Sequence, residues 1–341
     1  SLGVGGALYL NGTITIGTVY IIYQYNRMLE RPLEDISRQL SNVQKSLASV
    51  KRIYELFENR VEVTRPVDAP LPALPPPGKP LALQFEDVSF HYDDAPIDSL
   101  PESHENVLEN INFSLAPGEV LGLLGRTGSG KTTLTRLLFR LYDPQTGRIK
   151  ISASNQPQDL MDLQSIPLHA LRNRIGMVTQ NIELFHATVR DNLTFFDAAI
   201  PDDGILAVID ELGLGRWFAG LKNGLDTVLE SGGSGLSAGE AQLLAFTRIF
   251  LGDPGLVVLD EASSRLDPAT EQLIEKAVDR LTKNRTALII AHRLKTLGHA
   301  DKIMILDRGR VVEFGDRLDL ALDPGSKFHN LLRTGLDEVL V

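Results

Sequence analysis

The sequence of 341 residues contains no cysteine. Disulfides and thiolate-bound metals are thereby excluded, although the absence names no compartment. Surplus basic charge is missing too: 34 Lys and Arg stand against 44 Asp and Glu, a net charge of -10. The sequence pI is near 5.2. A nucleic-acid partner calls for a basic stripe, so none is expected. Neither the basic leader nor the cleavage site of a signal peptide is visible. The first residue is Ser1 rather than Met, which reads as a processed chain or an excised piece. No internal repeat is apparent. No uninterrupted apolar run reaches the ~20 residues that a membrane helix needs. The first charge is Arg27, but Asn11-Gly12-Thr13 splits the apolar stretch before it.

That split leaves two readings. One is a hairpin of buried helices. The other is the end of one membrane helix, a short external turn, and the start of the next. Tyr20, Tyr23 and Tyr25 beside the first charge suit an interfacial belt and favour the second. Asn11-Gly12-Thr13 also matches a glycosylation sequon but reads better as a turn. Beyond it, Leu29, Leu33, Ile36, Leu40, Val43, Leu47, Val50, Tyr54 and Phe57 recur at alternating steps of four and three. This is a heptad-like seam on one long helix. No apolar partner is near in sequence, so the seam is expected to pack on a missing region or a second chain. Residues 61–80 then carry Pro66, Pro70, Pro72, Pro75, Pro76, Pro77 and Pro80. They read as a semi-rigid linker. A compact domain is expected from Leu81, opening with a strand through Leu83, Phe85, Val88 and Phe90. Length allows one large or two ordinary domains.

The most specific pattern is Gly125-Arg126-Thr127-Gly128-Ser129-Gly130-Lys131-Thr132, which fits G-x-x-x-x-G-K-[ST]. The apolar run Val120–Leu124 precedes it, and helically spaced apolar residues follow from Thr133 to Tyr142. Strand, glycine loop and helix are the context in which this pattern holds phosphates. Backbone N–H groups converge on phosphate oxygens and the helix N-terminus adds positive potential. Lys131 is placed to reach the outer phosphates, and Thr132 to offer a hydroxyl to magnesium. The whole run, with Thr133, is the candidate nucleotide site.

Four short apolar runs each stop at a polar residue. Val120–Leu124 stops at the loop, Ile175–Val178 just before Gln180, Leu256–Leu259 at Asp260-Glu261, and Ala287–Ala291 at His292. Such runs suit strands of a parallel sheet covered on both faces, and ligands sit beyond the carboxyl ends of those strands. Asp260 suits a second magnesium contact, and Glu261 a general base for the attacking water. His292 suits a hydrogen bond to the γ-phosphate or the attacking water.

Together these motifs resemble the nucleotide-binding domain of ATP-binding-cassette transporters. The discriminating segment is Leu236-Ser237-Ala238-Gly239-Glu240, similar to the family signature L-S-G-G-Q. Ser264-Arg265-Leu266-Asp267 resembles the loop after the acidic strand, where Asp267 would couple the two halves of a dimer. Ala291-His292-Arg293-Leu294 resembles the switch-histidine segment. The likeness covers about Leu81 to Gly315. It implies an α/β fold: a RecA-like P-loop NTPase core, an antiparallel β subdomain and an α-helical signature subdomain over about 191–252. By the same resemblance Tyr92 would stack on adenine. Gln180 would contact magnesium, help catalysis and couple to the membrane domain through Leu184-Phe185. Ile14-Thr15-Ile16-Gly17, Arg31-Pro32-Leu33 and Arg52-Ile53-Tyr54-Glu55-Leu56 are similar to the last membrane helix of exporter-type half-transporters. On that likeness residues 1–60 are the remnant of a transmembrane domain, and 81–341 are the nucleotide-binding domain.

The resemblance further implies two domains, identical or not, clasping ATP and Mg2+ head to tail. Each ATP would lie between one loop and the partner's signature, with hydrolysis moving a substrate across the cell membrane from its cytoplasmic side. Ala238 and Glu240 depart from the signature. Ser237 and Glu240 still fit a capping box. If the replaced glycine used positive φ, Ala238 would cost roughly 1 kcal/mol or more. Asp93–Asn106 and Ile151–Ala170 look longer than usual and polar enough to be surface insertions. The alternatives are a soluble ATPase of the same class, for which the long helix speaks, and an ATP-binding regulatory subunit. A GTPase is disfavoured because N-K-x-D is missing.

Overall fold

The computed structural model describes residues 2–58, 76–92, 106–154, 156, 159–179, 182–230, 232, 235–260, 268–291 and 294–334. The chain divides into two units, residues 1–62 and 63–341.

In the first unit, α1 (Leu2–Leu10) is followed by a turn and α2 (Ile16–Glu58), 43 residues long. Gly12 takes a left-handed φ of 69° in that turn, where glycine carries no steric penalty. Pro32 lies within α2. The heptad-like seam forms one face of this helix, and Leu33, Ile36, Leu40, Leu47 and Tyr54 on it are all exposed. Among the described residues no helix is long and apolar enough to cross a membrane.

The second unit is built on a six-stranded sheet. Its strands are β3 (Val120–Gly125), β6 (Ile175–Val178), β9 (Leu256–Asp260), β10 (Thr286–Ile290), β11 (Lys302–Asp307) and β12 (Arg310–Asp316). The order is β12-β11-β3-β10-β9-β6. All neighbours are parallel except the edge strand β12. Successive side chains of a strand point to opposite faces, and here both faces are covered. Leu256, Val258 and Leu288 join one core; Val257, Leu259 and Ile289 join the other. This is why the strands read as continuous apolar runs rather than alternating ones.

The first core is closed by an antiparallel sheet, in the order β2-β1-β4-β5. It comprises β1 (Ala82–Phe90), β2 (Leu108–Leu115), β4 (Thr146–Ser152) and β5 (Met161–Asp162). Phe85 and Phe113 stack at 4.6 Å between ring centroids at its centre. The second core is closed by helices: α5 (Val189–Thr194), α6 (Asp202–Glu211), α8 (Ala238–Gly252), α9 (Pro268–Thr282) and α11 (Lys327–Thr334); the short helices α4 (Leu168–Arg172), α7 (Gly215–Ala219) and α10 (Arg317–Leu322) also belong to this unit. α8 carries Leu243, Leu244, Ala245 and Phe246 in its buried face. The expected combination of a parallel core, an antiparallel β layer and a helical signature layer is present.

Three details differ from the sequence reading. The helix after the glycine loop, α3 (Lys131–Leu138), stops four residues before Tyr142. Arg140 turns left-handed, with φ 49°, and its buried guanidinium bonds Asp143 and the carbonyls of Leu163 and Ile166. The stretch 151–170 is not simply a surface insertion: it supplies β5 and buries Leu163 and Ile166. Finally, the proline-rich stretch is tied to the domain at its end. Gly78 N–H donates to Asp253 O at 2.8 Å and Leu81 N–H to Gly255 O at 3.3 Å.

Candidate functional site

The parallel register lines up the carboxyl ends of the strands. Leu306 of β11 pairs with Gly125 of β3, Ile290 of β10 pairs with both Leu123 and Asp260, and Val178 of β6 pairs with Leu259. The glycine loop, Asp260 and the ends of β6 and β10 therefore share one edge, the crevice where open α/β sheets bind ligands.

At this edge α3 begins without a side-chain cap. Its N-cap is Gly130 at φ 106°. A Cβ there would lie 2.5 Å from Leu108 Cδ2, so shape and φ both demand glycine. The first N–H groups of a helix have no intrahelical acceptor, and with no capping side chain they remain available to an anion. Lys131 is buried, and its ammonium donates to the carbonyls of Gly125 at 2.5 Å and Arg126 at 3.0 Å. Burial lowers its pKa, and the nearby Asp260 carboxylate partly restores it. Ser129 Oγ is the one buried side-chain polar atom with no hydrogen-bond partner among the described residues. Buried hydroxyls nearly always find one. An orphaned hydroxyl, a buried ammonium and uncapped amides around one loop fit a polyanion. Thr132 is exposed in the first turn of the helix, while Asp260 is half-buried at the strand end.

A cavity of about 580 Å³ runs beside the loop, lined by Gly125–Ser129, the end of β11 and Leu331 of α11. Its lining excludes Lys131, Thr132 and Asp260, so it flanks the phosphate seat rather than forming it. Tyr92 donates to or accepts from Thr133 Oγ1 at 3.0 Å and accepts from Arg136 at 3.0 Å. Its ring meets Phe90 and Tyr142 edge-on.

The signature segment begins α8. Ser237 is the N-cap: its Oγ accepts from Glu240 N–H at 3.2 Å, and Glu240 Oε2 accepts from Ser237 N–H at 2.8 Å. The capping box read from the sequence is therefore formed. Ala238 is the first helical residue and does not have a positive φ, so the strain considered for it does not arise. Gly239 is required for packing: a Cβ there would collide with Thr270 Cγ2 of α9.

Gln180, Glu261, Ser264, Asp267 and His292 lie outside the described residues. Sequence reasoning missed Asn192 and Arg248. Asn192 is 1% exposed, and Arg248 bonds three acceptors that lie more than fifty residues away in sequence. The available signal was a lone cation beside the apolar run Leu243–Phe246 of α8, since half-buried Arg needs partners. Gly239 was assigned only to the ligand, because its contact with α9 is long-range.

Residues 108–264 match the ABC transporter family model. The chain is 33% identical over 322 residues to the "Uncharacterized ABC transporter ATP-binding protein YfiC" of Bacillus subtilis strain 168, covering 94% of this chain and 50% of that protein. It is 33% identical over 317 residues to the ATP-dependent lipid A-core flippase of Desulfotalea psychrophila, covering 93% and 52%. Among solved structures, a bacterial Atm1-family ABC exporter with ATP bound matches at a TM-score of 0.69 and 30% identity, covering 94% of this chain and 53% of that one. The chain spans about half the length of these relatives. Glycine loop, sheet order, capped signature helix and these likenesses agree: residues 108–264 carry the ATP-binding domain of ABC transporters.

Proposed function

We propose that this chain is the ATP-hydrolysing part of an exporter-type half-transporter, working as a pair of such domains, identical or not, at the cell membrane from its cytoplasmic side. The observation that carries the reading is the uncapped start of α3, with Lys131 buried against the loop carbonyls and Ser129 Oγ unpaired. Arg126 to Thr133 cradle the triphosphate, and Tyr92 stacks on the adenine. Lys131 exchanges the carbonyls of Gly125 and Arg126 for phosphate oxygens. Thr132, Asp260 and Gln180 hold Mg2+, which when bound neutralises charge on the phosphates.

Glu261 takes a proton from the attacking water, and His292 hydrogen-bonds the terminal phosphate or that water. Leu236 to Glu240 of the partner domain close the site, with Ser237 and Gly239 against the γ-phosphate and Asp267 linking the two halves. On this reading residues 1–60 are the tail of a transmembrane domain, 61–80 a linker and 81–341 the nucleotide-binding domain, with the exposed seam of α2 packed on other membrane-domain helices. Leu184 and Phe185 receive the motion on the domain side. The lipid A-core flippase and the ATP-loaded exporter of the Atm1 family support export rather than import.

The test separates binding from turnover. Glu261→Gln is expected to keep ATP affinity within about twofold and to lose nearly all phosphate release, since general-base catalysis contributes about 10²–10⁴-fold. Ordinary turnover in that variant would exclude Glu261 as the base.

A further inference from the structure

The segment Glu183–Thr188 is held by few donors. Arg248, in the middle of α8, donates from Nη1 to Glu183 O at 2.9 Å, from Nε to Asn192 O at 2.7 Å and from Nη2 to Asn192 Oδ1 at 3.2 Å. Asn192 Nδ2 in turn donates to the carbonyls of Phe185 at 3.0 Å, Ala187 at 3.3 Å and Thr188 at 3.1 Å. Its Oδ1 accepts from Phe185 N–H at 2.9 Å. Gly232 N–H donates to the carbonyl of Leu184 at 3.1 Å. Five of the six carbonyls in the segment thus end on Arg248, Asn192 or Gly232.

A second tie runs through the short pair β7 (Ala187–Thr188) and β8 (Val228–Leu229). Ala187 faces Leu229 and Thr188 faces Val228, a few residues before Ser237. The segment is therefore joined to α8 at its middle and to the strand leading into its N-cap. Outward from the same segment stand three exposed rings. Phe185 lies 6.3 Å from Phe195 and 5.7 Å from Phe196. Phe195 and Phe196 both adopt left-handed φ, 52° and 65°, a strained choice for bulky residues. The Arg248 guanidinium lies 4.8 Å over the ring of Phe195. One side chain of the signature helix thus bonds Glu183 and Asn192 and lies against one of the three exposed rings. Burial lowers the Arg248 pKa, yet arginine stays charged. Its planar fork serves separated acceptors in a way that a lysine ammonium does not.

We infer that Arg248, with Asn192, is a positioning residue that locks Glu183–Thr188 to α8, so that Ser237 moves as one body with the surface of Phe185, Phe195 and Phe196. The inference rests on the reading above, in which Ser237 meets the partner's ATP and Phe185 meets the membrane domain. Neither Arg248 nor Asn192 is among the residues that reading places at the nucleotide.

The test uses the full chain carrying Glu261→Gln, with Arg248→Gln or Arg248→Lys added. ATP affinity of the single copy is expected to stay within about twofold, while the ATP concentration for half-dimerisation rises by about tenfold for Arg248→Gln. Arg248→Lys, which keeps the charge and loses the fork, is expected to fall between. An unchanged midpoint overturns the lock. So does a parallel loss of ATP affinity and melting temperature, which marks a merely structural role. Hydrogen exchange in the nucleotide-free chain distinguishes this failure from failure of the functional reading. There Arg248→Gln is expected to speed exchange across 183–188 and leave 134–137 of α3 unchanged, whether or not the chain dimerises. Should the variants not fold, the parent chain decides: 183–188 and 238–248 must open with one common rate, and independent opening overturns the lock.

Discussion

The two helices that the proposed function places against ATP start in opposite ways. α3 opens at a left-handed glycine with no side-chain cap, leaving its amides to a ligand. α8 opens at a complete capping box, with Ser237 and Glu240 satisfying each other. An uncapped start costs stability that a bound anion restores, so it suits a permanent seat. A capped start is stable by itself and keeps a serine hydroxyl at the surface, which suits a part that docks and leaves. On the proposed function, the same element type is tuned for holding in one case and for touching in the other.

Four substitutions probe this contrast. Lys131→Ala removes the buried ammonium that bonds the loop carbonyls. Deleting a charge-assisted hydrogen-bond donor from a partly buried site is expected to lower ATP affinity by about a hundredfold, or roughly 3 kcal/mol; isothermal titration reads this directly, and near-normal affinity refutes the seat. Gly239→Ala forces a methyl group onto Thr270. Overpacking of that kind costs about 1–3 kcal/mol, seen as a lowered urea midpoint, whereas an unchanged midpoint would mean that α8 and α9 separate freely. Ser237→Ala deletes the N-cap and should cost about 1 kcal/mol of stability, along with ATP-driven dimerisation; loss of stability alone would confine the serine to capping. The smallest effect is expected from Glu240→Gln. The amide oxygen can still accept from Ser237 N–H, so dimerisation should shift by less than about twofold. Marked tightening would mean that the carboxylate repels phosphate and is not neutralised by the cap.

The glycine loop was more legible in the sequence than the surroundings of the signature helix. The loop from Gly125 to Thr132 is contiguous, and its flanking strand and helix obey local rules, so residue order alone gave its architecture. Strand ends were equally readable, because a sheet covered on both faces makes β9 and β10 apolar without a break. The capping box was legible because its two partners are three residues apart. What escaped were contacts set by the tertiary fold. Gly239 is fixed by Thr270 across two helices. Arg140 ends α3 early to reach Leu163 and Ile166. Arg248 reaches Glu183 across 65 positions. No local spacing encodes such pairs. Ala238 shows the converse: a departure from a motif looked costly until its helical backbone removed the reason.

The absence of cysteine makes one measurement especially direct, since any introduced thiol is unique. Thr127→Cys in the exposed turn of the loop and Ala238→Cys at the exposed start of α8 should meet only across two copies that share ATP. In the Glu261→Gln chain, the account predicts a covalent dimer of twice the chain mass when both thiols and ATP are present, and none with ADP or with either thiol alone. Absence of that cross-link at saturating ATP, or its formation in equal yield without nucleotide, would contradict the pairing of holding and touching helices.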